Sequence, residues 1–166
     1  GSSLQESLIR QMGYLRLDER ETIIARQLIG SIDEDGYIRR DLEAIVNDLA
    51  FAQNVESDSE ELETILFKVQ TFDPAGIAAR DLKECLLLQL ERKVDQNEAI
   101  VTATKIIDSC FDEFTKKHYQ KIMKKLDISS EDQLKEAVNA ITRLNPKPGG
   151  VGESIVRTQY LIPDFI

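Results

Sequence analysis

The chain has 166 residues and a mass of 18.8 kDa, enough for one ordinary domain or two small subdomains with a substantial core. Hydrophobic residues make up 42% of the sequence and charged residues 31%, and no run of about 18 apolar residues predicts a transmembrane helix. A net charge of −9 argues against non-specific attraction to nucleic-acid phosphates and favours protein partners.

The first half of the chain is predicted to form five helices, because apolar residues recur there at spacings of three and four. We expect them over residues 4–12, 18–32, 39–51, 57–72 and 79–93. Ser57 followed by Glu60 resembles a capping box for the fourth helix. The run Asp33-Glu34-Asp35-Gly36 predicts a turn in which Gly36 adopts a positive φ.

The second half begins at the polar residues 95–97. A long helix is expected to turn Ile100 through Phe114 inward, followed by a shorter helix over 119–126 and a third over 131–144 that Ser129 caps. Asn-Pro-Lys-Pro-Gly-Gly at 145–150 ends the last helix, and 151–166 reads as extended. The sequence therefore predicts an all-α fold of two small helical bundles, residues 1–94 and 95–150, with an extended C-terminal tail over 151–166.

Residues 31–38 resemble part of a calcium-binding EF-hand loop, because Gly36 would supply the bend while Asp33 and Asp35 supply oxygen ligands. When the loop is aligned on Gly36, however, its last ligand position falls on Leu42, where calcium needs a bidentate Glu. The pattern therefore favours a helix-to-helix turn with solvated acidic residues over a metal site.

Catalytic signatures are absent from the sequence. His118 is the single histidine and has no nucleophile in a recognised motif near it, which favours a surface position. Cys85 and Cys110 lack metal-ligand spacing, and both lie in apolar helical patterns typical of buried, reduced thiols. These observations argue against an enzyme, a cofactor or a small-molecule substrate. With no signal peptide in view, they favour the cytoplasm.

Two predicted helices over 119–126 and 131–144, joined by a short turn at 127–129, have about the lengths of a helix-turn-helix. The would-be recognition helix opens with Glu131 and Asp132, which would meet phosphates with like charge, so an independent DNA-binding module is the alternative and not the preferred function. The lysines around the first of these helices form either a solvated face or a docking stripe for an acidic protein surface or for passing nucleic acid, and the protein surface is preferred. They are Lys116, Lys117, Lys121, Lys124 and Lys125.

The stretch from Gln70 to Leu90 contains a specific break in the helical pattern. The residue before Pro74 is pushed out of helical geometry, and Gly76 removes side-chain bulk so that another backbone can approach. We expect Arg80 to pair with Asp73 across this corner before Asp81 opens the next helix. Spacing alone favours a simple tight helix corner.

The segment "TFDPAGIAARDLKECLLLQL", residues 71–90, closely resembles the signature of the core-binding region of bacterial sigma-54 (sigma-N) factors. Further similarity to that region lies in "SLQESLIRQM" at 3–12 and "LIGSIDEDGYI" at 28–38. "LNPKPGG" at 144–150 and "YLIPDF" at 160–165 resemble its end, so the resemblance extends over essentially the whole chain in the right order.

The resemblance implies a fragment of an alternative sigma factor that docks on the β and β′ subunits of core RNA polymerase, including the β-subunit flap. Such a fragment would act in the bacterial cytoplasm, away from any membrane, and would meet promoter DNA only through regions that it lacks. Charge and exposure suggest two sets of candidate polymerase contacts. One is Asp33, Glu34 and Asp35, and the other is Lys117, Lys121 and Lys124.

Overall fold

The computed structural model describes residues 2–150, and α-helices are the regular elements of that range, which confirms the all-α prediction. They are α1 (Ser2–Met12), α2 (Glu19–Gly30), α3 (Leu42–Gln53), α4 (Ser59–Val69), α5 (Leu82–Glu91), α6 (Glu98–Ser109), α7 (Phe111–Thr115), α8 (Tyr119–Lys125) and α9 (Glu131–Thr142). Within residues 2–150, no helix combines the length and the apolar character that a membrane crossing requires.

The described chain forms two compact units. The first holds the residues up to Asp81 together with Pro148–Gly150, and the second runs from Leu82 to Lys147. Helix α5 thus belongs to the second unit, so the units divide earlier in the chain than residue 95. That 1–94 and 95–150 act as separate functional subdomains remains a prediction, and the predicted tail over 151–166 lies outside the described residues.

The first unit packs the apolar stripes of α1 to α4 around one core. Apolar residues spaced four apart lie on one face of a helix, and each of these helices turns such a face inward. Full burial of a side chain of this size stabilises the fold by about 1.5–3 kcal/mol. The largest fully buried side chains of this unit are Leu8, Ile24, Leu28, Ile29, Ile38, Ile45, Leu49, Leu62, Leu66 and Ile77.

The second unit has its own core, in which α6 packs against α5 and α9. Ala103 on α6 and Ala137 on α9 are fully buried, and their small side chains let the helices lie close together. Both cysteines are buried free thiols, as the sequence predicts. Burial raises the pKa of the Cys110 thiol, which disfavours its reactive thiolate form.

Helix starts follow the local capping chemistry. Asp18 begins α2 with a complete capping box, in which its side chain accepts from the Glu21 N–H and the Glu21 side chain accepts from the Asp18 N–H. Two other caps lie one residue later than predicted. Asp58, not Ser57, caps α4, because its carboxylate accepts from the N–H of Glu61 at 2.8 Å. Ser130, not Ser129, caps α9.

The single long helix predicted through Phe114 is wrong, because the structure divides it into α6 and α7. The backbone leaves helical geometry at Cys110, with φ −131° and ψ 33°. The Nζ of Lys125 donates to the Ser109 carbonyl at 2.8 Å, which satisfies an acceptor at the end of α6. The new direction of α7 places Phe114 in the core of the second unit. No glycine or proline marks this break in the sequence.

Candidate functional site

Three segments that carry the family-like motifs meet in the first unit. They are the turn at 33–38, the corner at 73–80, and residues 148–149 from the C-terminal end of the described chain. We call this meeting point the glycine junction, because Gly36, Gly76 and Gly149 lie in its three segments. It is the part of the first unit where segments distant in sequence fix one another through their backbones.

The turn is held by the side chain of Asp33. Its Oδ1 accepts from the N–H of Asp35 at 2.9 Å and from the N–H of Tyr37 at 3.0 Å. Gly36 has φ 99°, as predicted for this turn. The N–H of Asp33 also donates to the Tyr37 carbonyl at 2.8 Å, which closes the turn on itself. Asp33 is therefore a structural acceptor, and its Oδ1 is oriented toward the turn's own backbone.

Arg39 completes the turn on the solvent side. Its Nε donates to Asp33 Oδ2 at 2.8 Å, Asp35 Oδ2 lies 3.8 Å from its guanidinium, and the guanidinium stacks 4.5 Å from the centre of the Tyr37 ring. Burial by itself would raise the pKa of Asp33, but the N–H of Tyr37, the bond and charge of Arg39, and the N–H of Asp35 together hold that pKa below its usual value. Asp33 is thus ionised in the folded turn.

The corner joins the turn through backbone hydrogen bonds. Gly76 has φ 91°, and Ala78 also adopts a left-handed conformation with φ 66°. In this conformation the Ala78 N–H donates to the Gly36 carbonyl at 2.8 Å, and the Ile38 N–H donates to the Ala79 carbonyl at 2.9 Å. Tyr37 and Ala79 form an isolated parallel bridge. These bonds explain why α5 begins at Leu82 and not near Ala79 as predicted.

A buried glutamine fixes the unusual conformation of Ala78. The Nε2 of Gln70, which is 4% exposed, donates to the Ala78 carbonyl at 3.0 Å. Because an unpaired buried amide is costly, Gln70 and Ala78 constrain each other. Neither the role of Gln70 nor the left-handed conformation of Ala78 was predicted from the sequence. The signal for Gln70 is its place just after α4, where a polar residue occupies an inward-facing position of the helical pattern.

The outer side of the corner is held by residues distant in sequence. Gln11, on α1, accepts from the Asp73 N–H at 2.7 Å and donates to the Asp73 carbonyl at 2.9 Å. The Asp73-Pro74 peptide bond is cis. Arg80 donates to Glu63 Oε2 at 2.7 Å, and the predicted pairing of Arg80 with Asp73 remains a prediction. Asp81 is exposed and is the last residue of this part of the first unit.

The third segment closes the junction at Gly149. Its N–H donates to the Asp35 carbonyl at 3.0 Å. A Cβ added to Gly36 would lie 2.7 Å from the Gly149 nitrogen, and a Cβ added to Gly149 would lie 2.7 Å from the Gly36 nitrogen and 2.8 Å from the Glu34 oxygen. These separations are too short for any side chain, so both glycines are required for the approach of the two backbones.

The candidate contact residues differ in how accessible they are. Glu34 is exposed at the tip of the turn, whereas Asp33 and Asp35 are half-buried. Lys117, Lys121 and Lys124 belong to the second unit and are all exposed, as is His118. Lys125 differs from the other lysines, because it bonds to Ser109 and pairs with Glu113 at 3.7 Å.

Metal ligation has no support among the described residues. Across residues 2–150, no three His, Cys, Asp or Glu side chains lie close enough together to hold an ion. In the turn that resembles an EF-hand, Asp33 Oδ1 accepts from two backbone N–H groups and Asp33 Oδ2 accepts from Arg39. The Asp33 carboxylate is thus occupied by the backbone of its own turn and by Arg39.

Comparisons with known proteins agree with the motifs of the junction. The family described as "Sigma-54 factor, core binding domain" matches residues 1–166. The chain is similar to the RNA polymerase sigma-54 factor of Pseudomonas putida, with 33% identity over 100% of this chain and 33% of the relative. The RNA polymerase sigma-54 factor of Azotobacter vinelandii is 36% identical over 100% of this chain and 32% of the relative. That of Escherichia coli is 34% identical over 99% of this chain and 33% of the relative. The chain spans about a third of the length of these relatives.

Proposed function

The chain belongs to the family of sigma-54 factor core-binding domains, and on this premise we propose that it docks on core RNA polymerase as part of an alternative sigma factor. It acts by binding and performs no chemistry of its own. The observation that carries the proposal is the family match over residues 1–166, because that family is described by its binding to the core. Because bacterial RNA polymerase is cytoplasmic, docking on it accounts for the cytoplasmic location that the sequence favours.

The glycine junction supports this role as a rigid scaffold. An interface that is ordered before binding loses less conformational entropy when the complex forms. Hydrogen bonds from Gln70 and Gln11 hold the corner, and the Asp33 carboxylate holds the turn. Charges at the tip of such a turn keep fixed positions, which favours correct docking over competing orientations.

Among Asp33, Glu34 and Asp35, Glu34 is the best candidate for a direct polymerase contact. It is exposed and makes no hydrogen bond or ion pair with any residue in the range 2–150. Asp33 is committed to the turn, and Asp35 is near Arg39. We assign Glu34 to a basic surface of the β or β′ subunit. Lys117, Lys121 and Lys124 form a second candidate surface, which would meet an acidic region of the enzyme.

The test is the association of the purified chain with core polymerase, measured by biolayer interferometry. We expect stable binding by the unmodified chain. Glu34→Lys should lower the association rate by roughly two- to tenfold, because reversing a charge at an interface rim weakens electrostatic steering. Glu6→Lys is the matched control, since Glu6 is also exposed and the charge change is the same. Equal association rates for the two variants would remove Glu34 from the interface.

The same assay separates the finer assignments. Polymerase that lacks the β-subunit flap should bind the chain more weakly if the flap is part of the docking site. Raising the salt concentration to about 1 M shortens the Debye length to about 3 Å and should abolish the difference between Glu34→Lys and Glu6→Lys. If the chain does not bind polymerase but binds duplex DNA with an affinity that falls steeply with salt concentration, the alternative of an independent DNA-binding module is supported instead.

A further inference from the structure

A shallow groove in the second unit combines an apolar floor with a basic rim. It has a volume of about 230 Å³ and is lined by the loop between α5 and α6, the start of α6 and the end of α9. Pockets for drug-sized ligands and cofactors have volumes of about 300–1,000 Å³. This groove is smaller, so it suits an anchoring side chain of a protein better than a complete small molecule. Its lining residues are Lys93, Val94, Asp95, Asn97, Ile100, Ala140 and Arg143.

An ordered loop presents the most unusual residue of the groove. Val94 is fully exposed, at 103%, so its whole apolar side chain is available for burial against a partner. The loop that carries it is tied down by Gln96, whose Nε2 donates to the Leu90 carbonyl at 3.0 Å and to the Lys93 carbonyl at 2.9 Å. The hydrogen-bonded loop therefore presents the Val94 side chain to solvent, where a partner can bury it.

The charges around this apolar surface determine which partner fits. Lys93 and Arg143 are both exposed, and neither forms an ion pair with a carboxylate of residues 2–150. Asp95 also lies in the groove, where its Oδ2 accepts from the Asn97 amide at 3.3 Å. The rim is thus net positive on a chain whose total charge is −9. Complementarity requires an occupant with carboxylates beside an apolar anchor.

We propose that this groove binds an acidic segment of core RNA polymerase that inserts one apolar side chain between Lys93 and Arg143. The assignment rests on the proposed function, since polymerase is the partner. The apolar anchor packs on Val94, Ile100 and Ala140, and flanking Asp or Glu residues pair with the two basic side chains. Buried anchors of this kind contribute most of the affinity at protein interfaces.

Two variants with different chemistry test the groove. Arg143→Glu reverses the rim charge, and Ala140→Phe fills the floor without changing the charge. Each should weaken binding to core polymerase by about tenfold, as loss of one good anchor does. Lys105→Glu is the matched control for charge, because Lys105 is exposed on α6 and does not line the groove. Circular dichroism of each variant confirms that the helices are retained.

Cross-linking identifies the occupant directly. A benzophenone attached to Val94→Cys should capture an acidic, apolar peptide of polymerase, whereas the same group on Val101→Cys should not. The native cysteines do not compete for labelling, since Cys85 and Cys110 are fully buried. Capture of a second copy of the chain or of duplex DNA at position 94 would overturn the assignment.

The outcomes separate this inference from the proposed function. If the unmodified chain and Lys105→Glu bind polymerase and both groove variants bind equally well, the groove is refuted while the docking function stands. If the unmodified chain does not bind polymerase at all, the proposed function fails, and the assignment of the groove to polymerase fails with it.

Discussion

Replacing Gly36 by alanine is the sharpest test of the glycine junction. The added Cβ would lie 2.7 Å from the Gly149 nitrogen, 2.9 Å from Pro148 Cγ and 3.1 Å from Ile77 Cδ1. The first of these is a backbone atom that hydrogen-bonds to Asp35, so the clash cannot be relieved by rotating a side chain. Gly36→Ala must therefore displace one segment of the junction.

Three effects set the expected loss of stability. An alanine with positive φ costs about 1–2 kcal/mol. Overpacking against fixed neighbours costs about 1–3 kcal/mol. The smaller backbone entropy of alanine in the unfolded chain offsets about 0.4–1 kcal/mol. We therefore expect Gly36→Ala to lower the free energy of unfolding by about 1–5 kcal/mol, out of the roughly 5–15 kcal/mol typical of a domain.

Urea unfolding followed by circular dichroism measures this loss, and hydrogen exchange of peptides over 33–38 and 73–80 shows whether it begins at the junction. Gly30→Ala is the matched control, because a Cβ at Gly30 has no heavy atom within 4 Å and the residue ends α2. This control should be neutral or slightly stabilising. A Gly36→Ala protein within about 0.5 kcal/mol of the unmodified chain would refute the packing argument.

Three further perturbations address the corner and the turn. Gly76→Val should destabilise the first unit and weaken polymerase association, because a β-branched residue tolerates its φ of 91° poorly; unchanged melting and binding would contradict this. Gln11→Ala should lower the unfolding free energy by about 1–2 kcal/mol through the loss of two hydrogen bonds to Asp73, measured by urea titration. Asp33→Asn should destabilise the chain at neutral pH, and the deficit should shrink with falling pH. Because folding lowers the pKa of Asp33, the contribution of its carboxylate to stability is fully present above the unfolded pKa near 3.8. That contribution is lost as the pH falls through the folded pKa. A deficit independent of pH from 7 to 3 would contradict the ionised state.

Local sequence patterns predicted the helices, but not every boundary. The i, i+4 stripes and the capping residue Asp18 are short-range signals, and the structure confirms α1, α2 and the turn at Gly36. The break at Cys110 could not be predicted, because no glycine or proline marks it, and the hydrogen bond to the Ser109 carbonyl comes from Lys125, 16 positions along the chain from Ser109. The start of α5 was misplaced for a similar reason, since tertiary bonds hold Ala79 against the turn.

The sequence predicted the motifs of the glycine junction but not the distant residues that contact them. The sequence indicated Gly36 and Gly76 as special positions, because turn chemistry favours glycine where φ is positive. The sequence did not reveal that Gly149 packs on Gly36, because the two glycines lie 113 positions apart and no alternating or helical pattern links them. Gln11 and Gln70 were also missed, because a glutamine that bonds to a distant backbone resembles any other polar residue in a helix.

The way the junction is built determines which acidic residues remain available to a partner. A carboxylate that accepts backbone N–H groups and pairs with an arginine is already satisfied, and moving it to a new partner would break the turn. This applies to Asp33, whose oxygens accept from Asp35, Tyr37 and Arg39. The backbone of Asp35 is likewise bonded to Gly149. Glu34 extends from the turn that these residues hold, so a binding surface at this position would owe its geometry to neighbours that do not touch the partner.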